Sequence, residues 1–146
     1  MIYTIATKKA LKLCFDNHKN QVDKGGMPYV FHPFFVAMHM DDEDSVCVAL
    51  LHDTVEDTSV TTDDLEKMGF NTNVINAIKL LTHTDLPYFD YIEKISHNKI
   101  ATKVKLKDLY HNSMIERLDN PTEKDLIRRE KYLKAIKILE DSCKQE

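Results

Sequence analysis

The sequence predicts an all-α single domain, residues 1–146, built as a helical bundle of about six to eight helices. Three observations predict it. Only three glycines and four prolines punctuate the 146 residues, which leaves few tight hairpins and favours long helices. Apolar residues recur near the 3.6-residue period, and no stretch alternates with period two for long. Capping residues stand where such helices would have to start and stop.

Taken in order, Ile5, Ala6, Ala10, Leu13, Cys14 and Phe15 predict a helix over 3–17. Residues 23–28 read as a loop. Pro33 suits the first turn of a helix over 33–40, where its missing N–H is harmless. The apolar run 46–51 predicts a third helix over 43–53, whose acidic start at 41–44 complements the helix dipole. Asp63-Asp64 opens a short helix that Gly69 ends. Asn73 is placed to cap a helix through Leu81, with Val74, Ile75, Ala77, Ile78 and Leu81 apolar. Pro87 starts another, through Ser96. Residues 98–118 read as one helix. Asn120-Pro121-Thr122-Glu123 offers an N-cap, a proline at N1 and a glutamate at N3. The last helix then runs to about residue 141, with Leu126, Ile127, Tyr132, Leu133, Ile136 and Leu139 inward.

Composition narrows the function. A 42% hydrophobic content supplies a core, and a net charge of −4 argues against nucleic acid or an anionic membrane as partner. A small anionic substrate would need positive charge supplied locally. No apolar run approaches the ~18 residues of a membrane span, and the N-terminus lacks a signal peptide. The three cysteines form no CxxC, so neither a disulfide framework nor a thiolate zinc site is expected. Cys14 and Cys47 fall in apolar helical patterns. A cytoplasmic location is the expectation, and homo-oligomerisation stays open.

The run 51–57 carries the chemistry. It places His52, Asp53, Glu56 and Asp57 directly after an apolar helix. On a continuous helix Asp53 stacks over Asp57 and His52 over Glu56, and like charges so spaced oppose the helix by roughly 0.2–0.5 kcal/mol. Burying unpaired carboxylates costs more. A divalent cation removes both penalties. Two further segments offer ligands: His32 at a loop-to-helix junction, and Asp108 within an apolar helical stretch. His32, His52, Asp53 and Asp108 would form a nitrogen and oxygen site without sulfur, suited to Mn, Fe, Zn, Ni or Co.

The order His, His-Asp, Asp resembles the HD metal-dependent phosphohydrolase superfamily. Residues 50–58 resemble the "LLHDxxEDT" signature of the RelA/SpoT-type alarmone hydrolase domain. Residues 28–33 with Val36-Ala37 match its "PYxxHPxxVA" segment, 105–112 its "KLADxxHN" segment, and 18–21 its "HKGQ". The matches are collinear and cover roughly residues 5–115. The likeness is to a small stand-alone form such as the metazoan SpoT homologue. It implies that His32, His52, Asp53 and Asp108 hold Mn²⁺, or another divalent transition metal. It implies that Glu56 and Asp57 act on the attacking water, that Lys24 approaches phosphate or base, and that Asn112 contacts a guanine nucleotide. The implied reaction releases pyrophosphate from guanosine tetra- or pentaphosphate (ppGpp, pppGpp) in the stringent response. The chain departs from the pattern at Asp23, where the family usually has arginine, at Lys107 for alanine, and at Leu109 for arginine.

Two other readings compete. One is an HD hydrolase of another nucleotide or phosphoester, to which Asp23 points; the other is a non-catalytic nucleotide-binding sensor. Arg128, Arg129 and Lys131 read as the solvated face of the last helix, paired locally with Glu123, Asp125 and Glu130. His111 has no assigned ligand role and reads as a group that supports a ligand or packs; His18 reads equally as a hydrogen-bonding group near the site or a structural one.

Overall fold

The computed structural model describes residues 1–145, and among them it is helical throughout apart from one isolated antiparallel bridge, Val22 to Pro28. The helices are α1 (Ile5–His18), α2 (Phe31–Met38), α3 (Glu43–Leu51), a single turn α4 (Thr54–Asp57), α5 (Thr62–Lys67), α6 (Thr72–Leu81), α7 (Tyr88–Ser96), α8 (Lys99–Asn112) and α9 (Glu123–Lys144). A 3₁₀ turn, Ile115–Arg117, joins the last two.

The centre is α3. Every residue from Ser45 to Leu51 is buried, so this helix is apolar on all sides and has to be surrounded. It packs against α1, α2, α6 and α8. Asp42 caps its start by accepting from the Ser45 amide, and Lys103 of α8 pairs with Asp41 and Asp42. No described helix is long and apolar enough to cross a membrane.

Several boundaries differ from the sequence expectation, each for a local reason. α3 stops at Leu51 rather than continuing through residue 53. His52 and Asp53 form a turn leading into α4, so the ionisable run does not lie on one continuous helix. α6 is capped by Asn71, whose side chain accepts from Val74 N, and Asn73 lies inside the helix. The stretch 98–118 breaks after Asn112: the chain turns at Ser113 and resumes as the 3₁₀ turn. α9 is capped by Thr122, which forms a reciprocal box with Asp125, so Asn120 and Glu123 are not the capping pair. Thr122 wins because its hydroxyl and the Asp125 carboxylate each satisfy an orphan amide or hydroxyl. Gly69 does end the α5 segment, at φ +94°, a conformation that favours glycine. α9 is also turned differently: Ala135 and Leu139 are buried, whereas Leu126, Ile127 and Leu133 are exposed. Only the face of its second half meets the core. The first half projects over the end of α8.

Candidate metal centre and substrate cleft

Three separated stretches bring four donors together at the end of α3. α2 presents His32 from its first turn, the turn after α3 presents His52 and Asp53, and α8 presents Asp108. Their ligand atoms all lie within 4.8 Å of one another, a grouping able to hold a metal ion. His32, His52 and Asp108 are buried.

The protons of this cluster are constrained. His52 Nδ1 lies 2.6 Å from the Ala49 carbonyl, which can only accept, so Nδ1 carries a proton and the ring turns Nε2 to the other donors. That Nε2 is buried, lies 3.1 Å from Asp53 Oδ2 and 3.5 Å from Asp108 Oδ1, and is aligned for a hydrogen bond with neither. Burial works to lower the His52 pKa, yet the Asp53 and Asp108 carboxylates outweigh it and hold the imidazole well above its ordinary value. The site attracts positive charge, and two imidazoles with two carboxylates are the donor set of a borderline divalent ion. The residues present therefore fit such an ion.

Neighbours hold each donor. The Tyr29 hydroxyl donates to Asp53, and its ring leans on His18 and His32. His32 Nε2 lies 2.8 Å from Asp108 Oδ1, while its Nδ1 shares a proton with His111 Nδ1 at 2.8 Å. The His111 ring stacks on His32 with an interplanar angle of 12°, and burial, then Arg117, brings its pKa down to about 4. His111 is therefore a neutral partner. Lys105 Nζ donates to Asp108 Oδ2 at 2.8 Å; burial opposes its charge, but Asp108 outweighs burial and holds the ammonium above its ordinary value. Asn112 Nδ2 donates to Asp108 Oδ1 at 3.0 Å. His18 is fully buried behind Tyr29, beside Gln21 and Thr54.

A cleft of about 530 Å³ opens over the cluster. Its floor is His32, Asp53 and Asp108, with Asp57, Tyr29 and Lys105 beside them. Its rim is the loop carrying Lys24, the 3₁₀ turn, and the start of α9. Asp57 and Lys24 thus stand at the cleft, as does Asn112, whose amide is engaged by Asp108. Glu56 is not among the lining residues described; it is exposed on α4 beside Asp57. Burial first, then the Asp53 charge, raises the carboxyl pKa of both Glu56 and Asp57. Partial burial, then Arg128, lowers that of Lys24.

The last helix corrects one expectation. Arg128 does pair with Asp125, at 3.1 Å, but it and Arg129 line the cleft and are not a merely solvated face. Arg129 Nε donates to the Ser113 carbonyl at 3.0 Å. Sequence reasoning also passed over Tyr29, Lys105 and Arg117, whereas His111 takes the supporting place it was expected to have, against His32. Lys105 was findable three residues before Asp108, on one face of α8. Nothing local marks Arg117 or Arg129, whose partners lie in other segments.

A helical bundle whose central helix delivers a His-Asp pair to a His from α2 and an Asp from α8 defines an HD-type domain. No family model matches the sequence. The chain is 32% identical over 123 aligned positions to the GTP pyrophosphokinase rsh of Brucella melitensis, covering 71% of this chain and 16% of that protein. It is 39% identical over 74 positions to the putative chloroplastic GTP diphosphokinase RSH1 of Oryza sativa, covering 48% of this chain and 8% of that one. The chain thus spans under a fifth of either curated relative. A solved structure, described as a metazoan ortholog of SpoT that hydrolyses ppGpp and plays a role in starvation responses, superposes with a TM-score of 0.77 at 26% identity. That match covers 97% of this chain and 87% of the other. In sequence and in fold the chain is thus similar to the SpoT-like HD domains of RelA/SpoT-type proteins.

Proposed function

We propose that this chain is a Mn²⁺-dependent phosphohydrolase that removes the 3′-pyrophosphate of guanosine tetra- or pentaphosphate. The observation that carries the proposal is the buried four-donor cluster at the floor of a cleft with a basic rim. The likeness to a SpoT ortholog described as hydrolysing ppGpp supports the choice of substrate.

His32, His52, Asp53 and Asp108 would hold the ion. When bound, it supplies Lewis acidity, withdrawing charge from a phosphoryl oxygen and acidifying water. The chain's own residues do the rest. Water attacks the phosphorus bonded to the ribose 3′ oxygen. Asp57, at the cleft, and Glu56 beside it orient that water and take its proton. Both carboxyl pKa values are raised, which brings these bases nearer to working pH. The bond from phosphorus to the 3′ oxygen breaks, that oxygen takes a proton, and GDP or GTP leaves with pyrophosphate. Lys24 neutralises phosphate charge at the rim. Asn112 holds Asp108 in place and faces the nucleotide. A single domain over 1–146 is the reading that the shared core of the described helices supports. Three cysteines with no disulfide fit a cytoplasmic setting.

The test is turnover with Mn²⁺ and product identification. Stoichiometric pyrophosphate from guanosine tetraphosphate is expected. Intact substrate, under conditions where a known hydrolase clears it, overturns the assignment. A different phosphoester as substrate is the second reading. It is favoured by Asp23, which stands where the family's arginine would meet the nucleotide. A phosphoester panel separates the two. A non-catalytic sensor is disfavoured because Glu56 and Asp57 are both retained.

A further inference from the structure

Asp23 puts a carboxylate on the rim of a cleft proposed to hold a polyanion, which by charge alone is unfavourable. Its contacts suggest a different use. Oδ1 accepts from the amides of Gly25 and Met27 at 2.9 and 3.0 Å, closing the loop around Lys24. Oδ2 accepts from Arg117 Nη2 at 3.0 Å, while Arg117 Nη1 donates to the His111 carbonyl at 2.9 Å. One guanidinium therefore ties the Lys24 loop to the end of α8, the helix that carries Asp108. The two segments touch closely: a Cβ on Gly25 would lie 2.5 Å from the Arg117 carbonyl oxygen, so a side chain there would push them apart. The ion pair is largely withdrawn from water, with the side chains 16% and 25% exposed. Lys24 sits next to this latch, lines the cleft, and makes no ion pair among the described residues.

We infer that Asp23 is a positioning residue for substrate binding: its pair with Arg117 latches the Lys24 loop to the cleft rim, where Lys24 meets a phosphate group. This rests on the phosphohydrolase reading for the phosphate, and on the observed contacts for the latch. Simple charge bookkeeping makes the opposite prediction. Removing the Asp23 charge frees Arg117 and adds net positive charge to the rim, which should tighten the hold on an anion. The latch predicts that the same change loosens it, because Lys24 loses its place.

The experiment measures affinity for inorganic pyrophosphate by calorimetry on Mn²⁺-loaded protein, together with KM and kcat for guanosine tetraphosphate. The variants are Asp23→Asn, Lys24→Gln and the two combined. Asp23→Asn should weaken both pyrophosphate affinity and KM by about 3- to 10-fold, with kcat within about twofold of wild type. In the Lys24→Gln background the same change should add little, because Asp23 acts through Lys24. Binding that is unchanged or tighter in Asp23→Asn overturns the latch, as does an equal loss in the Lys24→Gln background. Arg117→Lys keeps the charge but cannot span Asp23 and the His111 carbonyl together. It should show the same weakening if Asp23→Asn fails to fold, and wild-type affinity there overturns the proposal. A wild type that binds pyrophosphate yet leaves guanosine tetraphosphate intact overturns the proposed activity alone, and the latch is then judged on the pyrophosphate affinities. A wild type that binds no pyrophosphate overturns the latch.

Discussion

At the candidate metal centre each donor is oriented by something behind it. Ala49 fixes the His52 tautomer, Tyr29 holds Asp53, His111 stacks on His32, and Lys105 with Asn112 flanks Asp108. Such supporting groups set ring orientation and ligand basicity as much as the ligands themselves do. The roles divide by residue and so do the predictions. His52→Ala or Asp53→Ala should reduce bound manganese, measured by elemental analysis after desalting, from about one ion per chain to near zero, with loss of turnover. Glu56→Gln should keep the ion and slow kcat by roughly 10²–10⁴-fold, the worth of a general base. Loss of manganese in that variant would make Glu56 a ligand and undo the division. His32, His52, Asp53 and Asp108 were legible in the sequence as a set: singly each has an ordinary structural use, and their order, which resembles the HD pattern, is what joins them. Tyr29 was not, because an aromatic residue near a core is ordinary until its partner is seen.

At the level of elements, turn chemistry decided what periodicity left open. The run from His52 to Asp57 reads as helix by spacing, but α3 ends once its buried stretch is complete. The break lets His52 Nε2 and Asp53 Oδ2 converge, whereas adjacent side chains on a continuous helix diverge by about 100°. The start of α9 is a second case. Asn120-Pro121 has the form of a cap, yet the reciprocal bonds are between Thr122 and Asp125. Accordingly Thr122→Ala should cost about 1 kcal/mol in denaturant unfolding, the usual worth of a cap, and Asn120→Ala should cost close to nothing. Equal losses in the two variants would return the cap to Asn120. The stake is functional, since this turn sets the pitch at which Arg128 and Arg129 reach the cleft.

Across the whole molecule, the cluster joins three stretches far apart in the chain, so an ion bound there ties α2, the end of α3 and α8 together. Binding to the folded state alone stabilises it by about 2.7 kcal/mol at a concentration 100 times Kd. For a chain of this size that is a rise in Tm of roughly 5–10 °C. Thermal melts with Mn²⁺ and with a chelator should differ by that much, and equal Tm values in a protein shown to be metal-loaded would contradict the site. By itself the sequence determined the all-α class and the apolar third helix, and it picked out the four donors that the fold brings together. These rest on hydrophobic period and on residue types whose burial demands compensation, and both are local properties. Only the tertiary structure decided that α9 turns its arginines to the cleft and that Asp23 faces Arg117 rather than the substrate. Those outcomes depend on contacts between residues 94 positions apart and on the packing angle of a long helix, which no local pattern encodes.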